Sequence, residues 1–178
     1  VIVRRERPAD SGAVRALHQA AFARDPATGR KRAPADVVEA PLVDELREDP
    51  GFLPHLSLVA VSDDAIVGHV IATRGWIEPH GSPALGLGPL GVLPAVQRQG
   101  VGTVLVHALL AVAEACDEPL VALLGDPAYY GRFGFRASAD LGITAPDPRW
   151  GEHFQARLLT GPVPAPGTFR YAEPFARL

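Results

Sequence analysis

Methionine is absent from the 178-residue chain, cysteine occurs once and lysine occurs once. Without methionine even at position 1, Val1 is expected not to be the translated first residue. The lone Cys116 excludes an intrachain disulfide framework and fits a cytoplasmic protein. It is expected as a small buried residue on a helix rather than a reactive thiol. The lone Lys31 removes the nucleoside-triphosphate phosphate loop, which needs Gly-Lys-Ser/Thr, because Gly102-Thr103 has no lysine before it. No apolar run reaches the ~18 residues of a membrane span, and no signal-peptide pattern is present. A formal net charge of −3 gives no support to nucleic-acid binding through a basic surface. The six histidines have no partner at metal-ligand spacing, so no metal is expected.

What is present is enough for one core. A hydrophobic fraction of 47% in a chain of this length reads as one domain over residues 1–178, without repeat or linker. The most informative stretch is 88–110. An apolar run ends at Val92, Pro94 bars both a ladder donor and an immediate helix, and the loop Gln97-Arg98-Gln99-Gly100-Val101-Gly102 follows. A helix then begins near Gly100, with Val101, Val104, Leu105, Ala108, Leu109 and Val112 at helical spacing. Strand, glycine loop and helix start make an anion cradle, since the first helical N–H groups lack partners and the dipole is positive there. A G-x-G-x-x-G pattern also occurs at Gly86, Gly88 and Gly91. Pro89 and Pro94 bracket it and no helix follows at once, which argues against a dinucleotide site.

Along the chain, Ile2–Glu6 reads as a strand. Asp10 or Ser11 caps a helix to about Phe22, with Val14, Leu17, Ala21 and Phe22 on one face. Arg24–Ala33 reads as a loop whose Arg30-Lys31-Arg32 triplet is expected to be solvated. A second helix is expected over Asp36–Arg47, with Pro41 marking its first turn. Leu56–Val61 and Ile66–Trp76 form a hairpin around Ser62-Asp63-Asp64-Ala65, and Gly68 marks a bulge or a close backbone approach. Glu78–Pro83 is a loop, Leu85–Val92 a strand, and Leu120–Leu124 a buried strand. Tyr129-Tyr130 forms one turn, a strand lies at Phe135, 142–153 is loop, and Phe154–Thr160 is a late strand. The proline-rich tail carries Phe169, Tyr171 and Phe175 and is expected to pack on the domain. The fold class is α+β, with central strands that could run parallel.

Two motifs carry a resemblance. Gln97-x-x-Gly100-x-Gly102, preceded by Leu90-Gly91-Val92-x-Pro94, resembles the cofactor loop and fourth strand of the GNAT superfamily of acyl-CoA N-acyltransferases. Downstream, Tyr129-Tyr130-Gly131-Arg132-Phe133-Gly134-Phe135 resembles that family's Tyr-x-x-x-Gly-Phe ending, and Gly125-Asp126-Pro127-Ala128-Tyr129-Tyr130 looks like its bacterial YhbS-type subgroup. The resemblance covers roughly residues 1–140. It implies a mixed αβα fold with a central, mostly antiparallel sheet splayed at the cofactor site. It also implies transfer of an acetyl group from acetyl-CoA to an amine on a small molecule or a protein. The expected partners are acetyl-CoA and an amine acceptor, without nucleic acid or membrane; homodimer formation stays open.

The same resemblance assigns roles. Gln97 opens the cofactor-binding loop, and backbone N–H groups from Arg98, Gln99, Gly100, Val101, Gly102 and Thr103 would hold the pyrophosphate, with Arg98 adding a charge-assisted contact. Because the net charge is negative, steering of a polyanionic cofactor must come from Arg98 and the helix start. Leu90, Gly91 and Val92 would pair with the pantetheine arm, and an N–H near Val92 would stabilise the oxyanion. Tyr130 would protonate the departing thiolate, while Tyr129 packs. Residues 24–40 would set acceptor specificity. The general base is open: the family's strand glutamate and its asparagine have no clear counterpart. Glu78, His80, His69 and Asp126 are nearby candidates, and His107 is expected to be structural. A non-catalytic acyl-CoA-binding module of the same fold is the alternative, and an NAD- or nucleotide-binding protein the weaker rival.

Overall fold

The computed structural model describes residues 1–25 and 28–178, so Pro26 and Ala27 of the early loop lie outside the described residues. Its elements are β1 (Ile2–Arg5), α1 (Ser11–Ala21), α2 (Glu39–Glu48), β2 (Phe52–Ser62), β3 (Ala65–Glu78), β4 (Ser82–Val92), α3 (Val101–Ala115), β5 (Leu120–Leu124), the one-turn α4 (Pro127–Tyr130), β6 (Arg136–Ala137), β7 (Ile143–Thr144), β8 (Phe154–Leu158) and β9 (Gly167–Arg170). The strands form one sheet in the order β1-β2-β3-β4-β5-β8-β6, with β9 on the end of β3 and β7 on β9. Pairing is antiparallel except between β4 and β5 and between β7 and β9.

The β2–β3 hairpin turns at Asp63 and Asp64, whose φ values of 48° and 60° are the left-handed pair that matches strand twist. Gly68 does both things its sequence context suggested. The register shifts beside it, and a Cβ there would lie 2.8 Å from Val101 and Leu105 of α3. Helix α3 therefore lies directly on β3, burying Val101, Leu105, Val106, Leu109, Leu110 and Ala113. Val104, expected on the buried face, is 46% exposed. The helix is apolar nearly all round, so spacing alone does not choose its inner face. Helices α1 and α2 cover the opposite side of the sheet, through Val14, Leu17, Leu42, Val43 and Leu46.

Three expectations need correction. Helix α2 starts at Glu39, not Asp36, after a short 3-10 turn at Pro34–Asp36. A start at Asp36 would press the Pro41 ring against the Val37 carbonyl four residues back; starting at Glu39 leaves Pro41 in the first turn. Cys116 is exposed rather than buried, because α3 ends there and the chain reverses at Asp117 with φ 57°. Arg32 is not simply solvated. It is partly buried and bonds Asp25 at 2.8 Å and Glu39 at 3.2 Å. The region 142–153 also holds the short β7 and a 3-10 segment at Pro148–His153.

The tail closes the molecule. Strand β9 pairs with Trp76–Glu78, and its Phe169 is buried. Two glycines make room for tail rings: a Cβ on Gly75 would lie 2.6 Å from Phe169, and one on Gly86 would lie 2.6 Å from Tyr171.

Candidate active site

The site begins with a break in the sheet. Strands β4 and β5 pair only at Leu85–Val121 and Gly86–Ala122, then diverge toward their C-terminal ends. The cause lies on the other side of β4. Ala72 faces Leu87 and Val70 faces Leu90, so Gly88 and Pro89 stand opposite Ile71 alone. That extra residue bends β4 out of line. It needs Gly88, whose φ of 148° is closed to ordinary side chains. The three glycines of the apparent dinucleotide pattern thus serve the fold: Gly86 admits Tyr171, Gly88 forms the bulge, and Gly91 admits His18, whose Nδ1 would lie 2.8 Å from a Cβ there.

Past the bulge one edge of β4 is free. Leu93 N–H donates to the Val67 carbonyl on β3 at 3.0 Å. Backbone groups alternate along a strand, so Gly91 also faces β3 while Leu90 and Val92 face the gap. The Val92 carbonyl on that side accepts from Gln97 Nε2 at 3.0 Å. Of the three expected edge residues, Leu90 and Val92 present donors to the gap and Gly91 does not.

The glycine loop follows. Gln97 and Gln99 turn their amides inward, onto the carbonyls of Val92 and Ala95. They shape the loop from within. Arg98 and Gly100 adopt left-handed φ values of 60° and 89°. Val104 N–H already bonds Gly100 O, which leaves the N–H groups of Val101, Gly102 and Thr103 as the open donors at the helix start. The Val101 side chain points down into the core. Above these donors lies a cleft of about 650 Å³ lined by Leu90, Val92, Arg98, Gly102, Tyr129 and Arg132 among others. Arg98 has no acidic partner among the described residues. Arg132, which sequence reasoning did not single out, lies 4.9 Å from the centre of the Tyr129 ring and donates to the Tyr129 carbonyl at 2.9 Å. The cleft therefore has two guanidiniums and a positive helix end.

A second cavity of about 720 Å³ lies across β4. It includes Leu87, Gly88, Pro89 and Leu90 on one side and Leu124, Gly125 and Tyr130 on the other. The two cavities share Leu90. Tyr129 and Tyr130 are divided between them, and their rings meet edge-on at 4.9 Å. The Asp126 carboxylate caps the turn that carries them, accepting from Ala128 N–H at 2.9 Å. Burial, with a smaller contribution from Tyr129, pushes the Tyr130 phenol above its ordinary value, so it keeps its proton at any physiological pH.

The base candidates from sequence do not reach either cavity. Glu78 bonds Arg170 at the β3–β9 edge, His80 is exposed in the following turn, and Asp126 is a cap. His107 is exposed and packs edge-on against Phe133. His69 is fully buried in a polar chain under α1. Burial opposes ionisation of Glu6, but the His69 ring 3.4 Å away and hydrogen bonds from Ser57 and Arg47 bring its carboxyl down to about 2. An ionised Glu6 only accepts, so the Ser57 hydroxyl donates to it. Ser57 Oγ then accepts from His69 Nε2 at 3.0 Å, and His69 Nδ1 accepts from His18 Nε2 at 2.8 Å. Both rings are neutral, since burial lowers both pKa values. The chain ends in a bare lone pair, His18 Nδ1, buried against β4 with no partner among the described residues.

This arrangement has relatives. A model of the Acetyltransferase (GNAT) family matches residues 16–135. The chain belongs to the GNAT acetyltransferase family. It is 31% identical to the uncharacterised N-acetyltransferase YhbS of Escherichia coli K12 over 99% of both chains. It is 36% identical to the uncharacterised YjhQ of the same strain, over 76% of this chain and 79% of that one. The crystal structure of E. coli YhbS in complex with CoA superposes with a TM-score of 0.83 at 29% identity, covering 99% of this chain and 92% of that one. A Brucella melitensis GNAT acetyltransferase in complex with acetyl-CoA gives 0.77 at 32% identity, over 98% and 97%. The splayed, mostly antiparallel sheet is thus the GNAT fold. Among the described residues no helix is long and apolar enough to cross a membrane, and no group of three or more metal-ligating side chains is assembled.

Proposed function

We propose that the chain is one GNAT domain over residues 1–178 that transfers the acetyl group of acetyl-CoA to a primary amine by direct attack. The observation that carries this reading is the meeting of the two cavities at Leu90, with the Tyr129 ring lining one and the Tyr130 ring the other. The CoA and acetyl-CoA complexes of the two structural relatives support the choice of donor. The pyrophosphate takes the N–H groups of Val101, Gly102 and Thr103, flanked by Arg98 and Arg132. The pantetheine arm lies in the gap and pairs with the free edge at Leu90 and Val92. This places the thioester at the bulge, between the cleft and the second cavity.

The amine attacks the thioester carbon from the second cavity. Charge collects on the carbonyl oxygen, and the Val92 N–H is positioned to receive it. One such fixed donor is worth about 3–4 kcal/mol. The carbon–sulfur bond then breaks, Tyr130 gives its proton to the thiolate sulfur, and the surplus proton shed by the attacking nitrogen restores the phenol directly or through water. Burial, which raises the phenol's pKa, also raises that of a thiol in the same environment, so the two shift in the same direction. An alkylamine of pKa ~10.4 is neutral in only about one molecule in 2,500 at pH 7, a deficit of ~4.6 kcal/mol.

Thiol release from acetyl-CoA over a panel of amines tests the assignment. Tyr130→Phe keeps the ring, so donor affinity should hold while the rate falls about a hundredfold. An unchanged rate at saturating donor would take Tyr130 out of the mechanism. One observation favours a non-catalytic acyl-CoA-binding module: β4 carries no carboxylate facing the gap. Donor-induced thermal stabilisation without thiol release for any amine would establish that reading instead.

A further inference from the structure

The second cavity is far more apolar than a general amine site requires, and its wall beyond the gap is aromatic. Phe22, Leu42, Trp150, Tyr171 and Phe175 line it, along with Leu124, which is 46% exposed. Its volume of about 720 Å³ lies within the range of small-molecule sites, even with part of it given to the pantetheine arm. The tail from Phe169 onward forms one side, so an acceptor must enter a walled recess rather than lie across an open face.

Charged side chains are few in this recess: Glu39, Arg170 and the exposed Glu173. Arg170 is already held by Glu78 at 2.9 Å and stacks over Trp76 at 4.4 Å. Glu39, at the start of α2, is different. Its Oε1 accepts from Arg32 at 3.2 Å, but Oε2 is shielded from solvent and has no hydrogen-bond donor among the described residues. A buried carboxylate oxygen without a donor is costly. Glu39 lines the recess, and the terminal torsion of glutamate is soft, so a donor on a ligand held there can be met by this carboxylate.

Building on the transferase reading, we propose that the acceptor is a small primary amine on an apolar or aromatic body. The ring or alkyl body fills the aromatic recess and the ammonium is anchored by Glu39. The anchor captures the protonated form, which is the abundant one at neutral pH; the ammonium then gives one proton to water, and the neutral amine so formed is the nucleophile. A triamine fits poorly, because Glu39 and Glu173 are the only carboxylates lining the recess among the described residues, which leaves its third charge against the aromatic wall without a partner. A lysine on a folded surface fits poorly because the tail wall blocks the approach of its backbone.

The test measures initial rates of thiol release by the full chain with four acceptors: 2-phenylethylamine, hexylamine, spermidine and an end-blocked lysine peptide. The two apolar amines should exceed spermidine and the peptide by at least about tenfold in kcat/KM. Glu39→Gln should raise the KM for 2-phenylethylamine about tenfold, with kcat and the KM for acetyl-CoA little changed. Arg32→Gln breaks the same ion pair from its other end. If both variants raise the KM alike, Glu39 is only a tether for Arg32 and the anchor is refuted. Should Glu39→Gln fail to fold, Glu39→Asp withdraws the carboxylate by one methylene and must show the same KM rise. Preference for spermidine or the peptide overturns the acceptor class while leaving the transferase reading intact. If acetyl-CoA binds but no amine is turned over, the transferase reading fails. Calorimetry of 2-phenylethylamine on the CoA-loaded protein then decides: binding lost in Glu39→Gln supports the recess, and no binding refutes it.

Discussion

Gly125→Ala should disable the site by moving one ring. Gly125 links β5 to α4, and an alanine Cβ there would lie 2.3 Å from Tyr130 Cε2 and 2.7 Å from Cδ2. Carbon atoms in contact sit about 3.5–4.0 Å apart, so the ring edge must retreat by more than ~1 Å. Tyr130 packs against Tyr129, Phe133 and Phe135, so the retreat strains the whole cluster. Overpacking of this kind costs about 1–3 kcal/mol. In a domain of this size each kcal/mol shifts Tm by about 2–4 °C. The kinetic effect should be larger: a misplacement of about 1 Å at a reacting group is worth roughly a hundredfold. Donor affinity should survive, because the helix-start donors at Val101–Thr103 belong to a different element. Steady-state kcat, a thermal melt and acetyl-CoA calorimetry on one preparation separate these effects. Tyr130→Phe provides the contrast, a similar loss of kcat with little change in Tm. An alanine variant with parental kcat would show that the position of the Tyr130 ring does not matter to the reaction.

A Cβ at Gly100 meets no atom within 4 Å, but Gly100→Val forces a β-branched residue to φ 89°. The loop should relax away from the helix start and weaken acetyl-CoA at least about tenfold, with unchanged affinity by calorimetry placing the phosphates elsewhere. The buried polar chain makes the fold acid-sensitive in two stages. His18 and His69 are held below their ordinary pKa and stay neutral in the fold, so protonation of the unfolded chain below about pH 6.5 removes stability as pH falls. Glu6 is held at about 2, so its contribution is complete above about pH 4.5 and is lost between there and pH 2. Glu6→Ala should cost about 3 kcal/mol at neutral pH and flatten that lower stage, and a parental Tm constant from pH 8 to 5 would contradict the histidine assignment.

The linear order of residues determined the glycine loop and the helix start that follows it. Gln97-x-x-Gly100-x-Gly102 is local chemistry: loop residues, a left-handed glycine and a helix start lie within six positions, so spacing alone specifies the cradle. The same holds for the Asp63-Asp64 turn and for the first-turn proline of α2. Distance along the chain hid the rest. Gly86 and Gly91 read as a nucleotide pattern because the rings they admit, Tyr171 and His18, come from the opposite ends of the sequence. Glu39 was one carboxylate among many until the tail and α1 closed an apolar recess around it. Its significance depends on burial and on an unmet hydrogen bond, and neither is a property of sequence. The inner face of α3 and the exposure of Cys116 were likewise settled by packing: an all-apolar helix has no preferred side until β3 offers Gly68 as the groove it fits.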